Sequence, residues 1–262
     1  MLKQRIIFGA ILALAVLYTI FFGNLMLFFG VVGLFSIIAL YEISSMQIKT
    51  NYKWLYLVLL LVLSISVVCN TDVILLSYIA SSLWIFALLS ILFYPKCSKF
   101  WQNKWVTGLF SVLVISAFFA ILLAYKLDPG FGNEALIYVI MICSITDIGA
   151  YFSGKIFGKR KMSPTISPNK TIEGLAGGVI TATLAIMIFN YFSGSLSPVT
   201  IALGILLSGI AVLGDLFESM LKRIFDVKDS SNLIPGHGGV LDRIDSMMPV
   251  ITCYYAISKL MH

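Results

Sequence analysis

The stretch Val199–Leu221 reads VTIALGILLSGIAVLGDLFESML, and it indicates which class of protein this chain belongs to. Its first part, Val199 to Gly214, contains only apolar and small residues, and a helix needs about 20 such residues to cross a bilayer. Asp215 follows this run directly. A carboxylate at membrane depth faces protein or water rather than lipid, and it usually has a function. The stretch therefore predicts a membrane-spanning helix with an acidic functional residue near its end.

The whole chain has the same apolar character as this stretch. Of its 262 residues, 60% are hydrophobic and only 11% are charged, and the mean hydropathy is +0.99. In a soluble domain about a quarter of the residues are charged. The apolar residues form long blocks rather than short periodic faces. We therefore predict an all-α integral membrane protein, a polytopic helical bundle of about nine transmembrane helices.

The predicted spans are apolar blocks of roughly 17–25 residues, separated by short polar loops. They lie near Ile6–Phe22, Leu25–Ile43, Trp54–Cys69, Val73–Tyr94, Val106–Tyr125, Ala135–Phe152, Ile172–Phe192, Val199–Leu221 and Met247–Leu260. The third and the last are short for a bilayer. The first follows two basic residues, as a signal peptide does, but no small-residue cleavage site follows it. We therefore expect it to be the first span.

Positive charge is distributed unequally between the loops. Most of the 18 Lys and Arg residues lie in the loops after the second, fourth, sixth and eighth spans. Because basic loops stay in the cytoplasm, these loops are expected at the cytoplasmic face of the inner membrane. Lys3 and Arg5 fall on the other side in this count, and one misassigned span in the N-terminal half would remove the conflict.

Two other kinds of site find no support in the sequence. The net charge of +6 is explained by membrane topology, and no segment has the basic face with interleaved aromatic residues that indicates nucleic-acid binding. The four cysteines are scattered without a Cys-x-x-Cys pair, so neither a disulfide framework nor a zinc site is predicted. We expect the membrane bilayer, and no nucleic acid, among the partners.

The chain divides chemically rather than by a linker. The first five spans contain one carboxylate near a span end, Glu42, and otherwise look like scaffold. From Asp147 onward, charged and polar residues enter the spans themselves. We therefore predict an N-terminal transmembrane scaffold over residues 1–130 and a C-terminal transmembrane catalytic region over residues 131–262.

The first chemical cluster begins at Asp147 and continues to the start of the seventh span. Tyr151 and Gly154 follow Asp147 at i+4 and i+7, so the three share one helical face. Two Ser-Pro steps then keep the chain extended, and Lys170 arrives at a helix N-terminus, which favours anions. Two simpler interpretations stay open: Asp147 could bond to a neighbouring helix, and the basic run at 155–161 could be a cytoplasmic anchor. Small residues at Gly174, Gly177 and Gly178 predict close helix packing.

The second cluster lies at the end of the eighth span. Asp215, Ser219 and Lys222 follow one helical stripe, with Glu218 adjacent. Further on, Asp242 and Asp245 share a face if their stretch is helical, although Asp245 could simply cap the last span. Mg²⁺ is usually held by one or two carboxylates together with phosphate oxygens. We therefore predict that Asp215 and Asp242 bind Mg²⁺.

The segment from Ser219 to Ser246 also combines cations with a glycine-rich loop. The loop is Pro235-Gly236-His237-Gly238-Gly239, where absent side chains let backbone N–H groups approach a ligand. The cations are Lys222, Arg223, Lys228 and Arg243, and Asp229 adds a further carboxylate. This combination suits a metal-bound polyphosphate. His237 could contact phosphate, assist proton transfer or merely hold the loop.

These residues resemble a known signature. The run Ser219-x-x-Lys222-Arg223, Lys228-Asp229, Pro235-Gly236-His237-Gly238-Gly239 and Asp242-Arg243-x-Asp245 is similar to that of the phosphatidate cytidylyltransferase (CDP-diacylglycerol synthase) family. The stretches at 147–151, 167–174 and 214–219 resemble other recurrent blocks of that family. The resemblance covers roughly Thr146 to Ser246, while the first five spans match only as hydrophobic scaffold. One mild departure is Ile148, where a small or polar residue is common.

The resemblance implies that CTP and phosphatidic acid react to give CDP-diacylglycerol and pyrophosphate, with Mg²⁺ as cofactor. The expected catalytic residues are Asp215, Lys222, Arg223, Asp242 and Arg243. The expected substrate-binding residues are Asp147, Lys170, Ser219, Lys228, Gly236, His237, Gly238, Gly239 and Asp245. Two alternative functions stay open: a CTP-dependent lipid kinase, which would transfer the γ-phosphate, and an ion-coupled transporter. The oligomeric state is also open, with a homodimer as one option.

Overall fold

The fold is an α-helical bundle with one small sheet, seen in a computed structural model that describes residues 14–128, 132–233 and 238–261. In chain order the elements are α1 (described over residues 14–21), α2 (Leu25–Gln47), α3 (Lys53–Asn70), α4 (Val73–Leu92), α5 (Ser98–Gln102), α6 (Lys104–Leu127), α7 (Gly132–Phe157), β1 (Lys161–Ser163), β2 (Ser167–Thr171), α8 (Ile172–Phe192), α9 (Pro198–Ile224), α10 (Leu241–Ile244) and α11 (Met247–Met261).

Seven helices of the described ranges are long and apolar enough to cross a membrane: α2, α3, α4, α6, α7, α8 and α9. This confirms the all-α polytopic class. The number of about nine spans, expected from the usual span length, is not reproduced exactly. The N-terminal part of the predicted first span, residues 6–13, lies outside the described residues, and α11 has only 15 residues, which is short for a bilayer.

The N-terminal helices and α9 meet in an aromatic cluster. Trp101, on the short helix α5, is completely buried, and its ring lies 4.9 Å from that of Phe217 on α9 and 5.1 Å from that of Phe110 on α6. Trp84 on α4 packs edge-on against the same two phenylalanines. Edge-to-face aromatic pairs stabilise by about 0.5–1.5 kcal/mol each beyond their buried area. These ring contacts therefore hold α9 against α4, α5 and α6.

Helices α7 and α8 are in very close contact through glycines. A Cβ added at Gly149 would overlap the side chain of Thr181, and one added at Gly177 would overlap that of Ser153. A Cβ at Gly178 would come within 2.7 Å of the Thr146 carbonyl oxygen. Small residues let helix backbones approach closely in membranes. The close packing predicted for the glycines of the seventh span is confirmed.

The segment between α7 and α8 is an antiparallel hairpin rather than the simple extended loop predicted from its Ser-Pro steps. Strands β1 and β2 pair through Lys161 with Thr171 and Ser163 with Ser167. Ile166 in the turn is completely buried, and its carbonyl accepts a hydrogen bond of 3.1 Å from Nε of Arg223 on α9. Burial of Ile166 and this bond hold the hairpin against the end of α9.

Candidate active site

A polar cavity of about 550 Å³ lies where α7, the hairpin, the start of α8 and α9 meet. Its lining residues are Asp147, Ala150, Tyr151, Gly154, Lys155, Met162, Ser167, Asn169, Lys170, Thr171, Gly174, Leu175, Val212 and Asp215. Asp147, Tyr151 and Gly154 line it together, which confirms that they share a helical face. The volume falls within the range of about 300–1,000 Å³ that is usual for small-molecule sites.

Lys170 and Asp215 join the hairpin to α9 across this cavity. The ammonium group of Lys170 forms an ion pair with Oδ2 of Asp215, and both side chains are about a quarter to a third exposed (25% and 32%). Ser219 Oγ, one helical turn after Asp215, donates to Asp215 Oδ1 at 3.4 Å. The Asp147 carboxylate on α7 interacts electrostatically with Asp215 and Lys170. Two acids and one cation from three elements thus surround one polar space.

Asp245 belongs to the same electrostatic group although it is buried beneath the cavity. Burial, followed by the charge of Asp215, raises the pKa of the Asp245 carboxyl to about 7. Its Oδ1 accepts a hydrogen bond of 2.6 Å from the Ser246 backbone N–H just before α11. Gly214 makes this arrangement possible, because a Cβ there would overlap the Asp245 carbonyl oxygen. Helix α9 therefore lies directly against the segment that carries Asp245.

A second polar cluster surrounds Lys222 one turn further along α9. Its ammonium group donates 2.6 Å hydrogen bonds to Glu218 Oε2 and to Asp242 Oδ1, and the three side chains are 14%, 4% and 8% exposed. The i, i+4 spacing predicts the contact with Glu218. Such a desolvated cation needs paired acids to compensate for its burial. Lys222 is therefore paired on both sides, and its predicted contact with substrate phosphate stays a prediction.

Asp242 binds both Ser230 and Gly239, the two ends of the stretch 230–239 that contains the glycine-rich loop and is called the glycine-rich segment below. Its Oδ2 accepts hydrogen bonds from Gly239 N–H at 2.7 Å, Ser230 Oγ at 2.8 Å and Ser230 N–H at 3.1 Å. Burial alone would raise the pKa of Asp242, but the hydrogen bonds from Lys222 and Gly239 lower it to about 2. Gly238, with φ of 81°, occupies a conformation that favours glycine.

Glu42 of α2 contacts the residues next to this cluster, and it was not among the site residues predicted from the sequence. Its carboxylate is completely buried and accepts hydrogen bonds from the Leu241 N–H at 2.7 Å, the Val240 N–H at 2.9 Å and Ser231 Oγ at 2.6 Å. It also lies 3.0 Å from Ser230 Oγ, whose single hydrogen it shares with Asp242. The available signal was a carboxylate at the end of an apolar span, which usually marks a function. Its partners lie nearly 200 residues away along the chain and cannot be found from local spacing.

The other predicted cations lie at the edges of these clusters. Arg223 is exposed and donates through Nε to the hairpin, and Lys228 is exposed. Arg243 is exposed as well, and its charge acts on Asp147. Gly236 and His237 lie outside the described residues. The roles of these five residues in substrate binding or catalysis stay predictions.

The donor set around the polar cavity fits Mg²⁺, which prefers oxygen ligands and is usually held by one or two carboxylates. Asp215 and Asp147 line the cavity from two helices. Asp242 Oδ2 accepts three hydrogen bonds, whereas Oδ1 accepts one, from Lys222. Oδ1 is therefore the atom that could bind a metal in addition to Lys222. No cluster of three His, Cys, Asp or Glu residues suited to a metal occurs in the described ranges. The pair Asp215 and Asp242 stays a prediction, with Asp147 as a further candidate.

Comparison with known proteins relates the whole chain to one family. Residues 3–261 match the model of the cytidylyltransferase family. A phosphatidate cytidylyltransferase of Haemophilus influenzae is 38% identical over 284 residues, which cover 97% of this chain and 99% of that protein. One of Bacillus subtilis is 34% identical over 270 residues, covering 99% of this chain and 98% of that protein. The chain therefore belongs to the cytidylyltransferase family.

Proposed function

We propose that this protein is a phosphatidate cytidylyltransferase, which converts CTP and phosphatidate into CDP-diacylglycerol and pyrophosphate. The observation that carries the proposal is the polar cavity, where Asp147, Lys170 and Asp215 converge from three elements in a chain of this family. A transporter would also place acids in its spans, but it does not need a basic glycine-rich segment beside them.

The reaction itself requires little covalent help from the protein. The phosphate monoester of the lipid has a second pKa near 6, so it is largely a dianion at neutral pH and can attack without a base. One of its oxygens bonds to the α-phosphorus of CTP, the bond from that phosphorus to the β-phosphate bridging oxygen breaks, and pyrophosphate leaves. The obstacle is repulsion between two anions. Catalysis then consists of alignment and charge neutralisation.

Two cations of the chain support this part of the proposal. Lys170 on the hairpin lies within the cavity, where it can pair with Asp215 or with a substrate phosphate. The positive charge of Arg243 acts on Asp147, which lines the cavity from α7. Asp215, with Asp242 or Asp147, would hold Mg²⁺, which supplies neutralisation of phosphate charge when bound. Glu42 and Asp242 would keep the glycine-rich loop in position, since both bind Ser230 before the loop, and they bind Val240 and Gly239, respectively, at its end.

The orientation that we propose places this cavity at the cytoplasmic face of the inner membrane. The end of α7, the hairpin and the end of α9 carry Lys155, Lys161, Lys170, Lys222 and Arg223. Basic loops are retained in the cytoplasm, where CTP is available. The lipid head group would meet the nucleotide at this boundary, which explains why a water-soluble substrate is used by a membrane-embedded chain.

The test of the proposed function is the fate of each phosphate of CTP. Purified protein in detergent micelles is given phosphatidate together with diacylglycerol, the lipid alcohol that a kinase would need, Mg²⁺ and CTP labelled either at the α- or at the γ-phosphate. The proposal predicts α-label in the lipid product and γ-label in pyrophosphate. Label from the γ-position in the lipid would establish a kinase instead, and no lipid product with either label would contradict both enzymes.

A further inference from the structure

A second cavity, of about 470 Å³, lies between α1, α2, α6, α7 and α11. Its wall is almost entirely aliphatic and aromatic, with Phe28 and Val31 on α2, Phe118 on α6 and Val139 on α7 among its members. Among the described residues, none lines both this cavity and the polar cavity. By its composition this space suits hydrocarbon, whereas the polar cavity suits phosphates.

Arg243 is the one charged residue among the described residues that line this apolar cavity. Ser144 on α7 also lines it, and Ser144 lies one helical turn before Asp147, which lines the polar cavity. The charge of Arg243, which lines the apolar cavity, acts on Asp147, which lines the polar one. The apolar and polar cavities are therefore neighbours along α7, with Asp147 and Arg243 at their junction.

A third cavity shows that this arrangement is not general for gaps between the helices of this bundle. It has a similar volume of about 430 Å³, lies between α2, α3 and α6, and is lined by residues such as Gly33, Leu61 and Phe119. No charged residue belongs to its lining in the described part of the chain. Of these two apolar cavities, only the one that contains Arg243 has a charged residue in its described lining.

We infer that the Arg243 cavity holds an acyl chain of a diacylglycerol phosphate, with the phosphate at Arg243 and directed towards the polar cavity, which takes the nucleotide. The inference rests on the proposed function and deepens it, because it assigns each substrate to its own space. Lipid tails are as apolar as leucine side chains, so an acyl chain gains little free energy when it moves from the bilayer into the cavity. Affinity comes from the pairing of phosphate with Arg243, and the shape of the cavity selects the length of the chain.

A matched pair of substitutions on α2 tests this assignment. Val31 lines the Arg243 cavity and Gly33 lines the uncharged one, because residues two apart lie on opposite faces of a helix. A Cβ at Gly33 finds its nearest neighbour, Phe119 Cε2, at 3.7 Å, which is an ordinary contact. Val31→Phe should raise KM for long-chain phosphatidate about tenfold, with KM for CTP and the kinetics of short-chain phosphatidate unchanged. Gly33→Phe should change none of them.

A second measurement uses the unaltered protein and so does not depend on the folding of a variant. Phosphatidate carrying a photoreactive diazirine near the end of one acyl chain is crosslinked, and the labelled residues are mapped by mass spectrometry. Phosphatidylcholine with the same chain, which lacks the monoester, serves as the comparison. We expect labelling of α2, α7 and α11 residues of the Arg243 cavity by phosphatidate at several times the level given by phosphatidylcholine.

Equal labelling by both lipids would show that the cavity holds bulk bilayer lipid only and would overturn the inference. So would equal kinetic effects of Val31→Phe and Gly33→Phe. These failures differ from failure of the proposed function, in which the unaltered protein itself would form no CDP-lipid. If the wild type is active and Val31→Phe changes neither kcat nor KM for either substrate, the acyl-chain site is wrong and the proposed function stands.

Discussion

Substitution of Glu42 should disturb the site, although Glu42 lies nearly 200 residues from its partners along the chain. Its completely buried carboxylate accepts two backbone N–H groups and one serine hydroxyl, and it shares a second serine hydroxyl with Asp242. Glu42→Gln would place amide hydrogens against donors, at a cost of about 1–3 kcal/mol in stability. We expect a lower thermal midpoint and a lower kcat, measured by thermal unfolding in detergent and by the CDP-lipid assay.

Glu134→Gln is the control for this substitution, because Glu134 is an exposed carboxylate in the first turn of α7. It should leave the thermal midpoint and kcat at wild-type values. A Glu42→Gln protein as stable and as active as the Glu134→Gln protein would show that the buried carboxylate does not position the glycine-rich segment.

Lys170 should act in the reaction rather than in folding, because its partner Asp215 lines the same cavity and both are partly exposed. Lys170→Met should lower kcat about 10²–10³-fold, the usual effect of removing one preorganised stabilising group. Lys161→Met, in the same hairpin but outside the cavity lining, is the matched control and should stay near wild type. Similar kcat values for the two variants would remove Lys170 from the active site.

Among the elements, α9 depends on a close approach to the segment before α11. A Cβ at Gly214 would overlap the Asp245 carbonyl oxygen, whereas a Cβ at Gly209 on the same helix meets nothing within 4 Å. Gly214→Ala should therefore destabilise by about 1–3 kcal/mol, as overpacking does. Gly209→Ala should be neutral or stabilising, because alanine is the better helix former. Thermal unfolding compares them, and equal midpoints would contradict the tight contact.

The sequence predicted the elements better than their contacts. The shared face of Asp147, Tyr151 and Gly154 was predictable from the helical period, and so was the glycine packing of α8 against α7. The hairpin was missed because Ser-Pro steps indicate extended chain without naming the strand partner. The buried contact of Asp242 with Lys222 was also missed, since it depends on how the glycine-rich segment returns to α9.

At the scale of the whole molecule, the proposed orientation can be measured with an impermeant thiol reagent. Single cysteines are introduced into a variant without the four native ones, at Lys161 in the hairpin and at exposed Ser195 between α8 and α9. The charge distribution predicts that Ser195→Cys is labelled from outside intact spheroplasts and Lys161→Cys only after lysis. The reverse pattern would place the polar cavity on the wrong side of the membrane.

The membrane class and the family signature could be predicted from the sequence. The contacts between the two halves of the chain could not. Residues 1–130 were expected to be scaffold, and that division stays a prediction. Nevertheless Glu42, from this half, binds the segment that follows α9. Local periodicity does not report a contact of that sequence separation, which arises only when α2 packs beside α10.

The most direct test of the central claim is the turnover of Asp215→Asn, in which the shape is kept and the charge that faces Lys170 and the polar cavity is removed. Asp226→Asn at the end of the same helix is the control, because its positive φ of 57° suits asparagine as well as aspartate. We predict that Asp215→Asn folds normally but that its kcat is at least about 100-fold lower than that of the wild type, while Asp226→Asn stays active. Near-normal formation of CDP-lipid by folded Asp215→Asn would contradict the account.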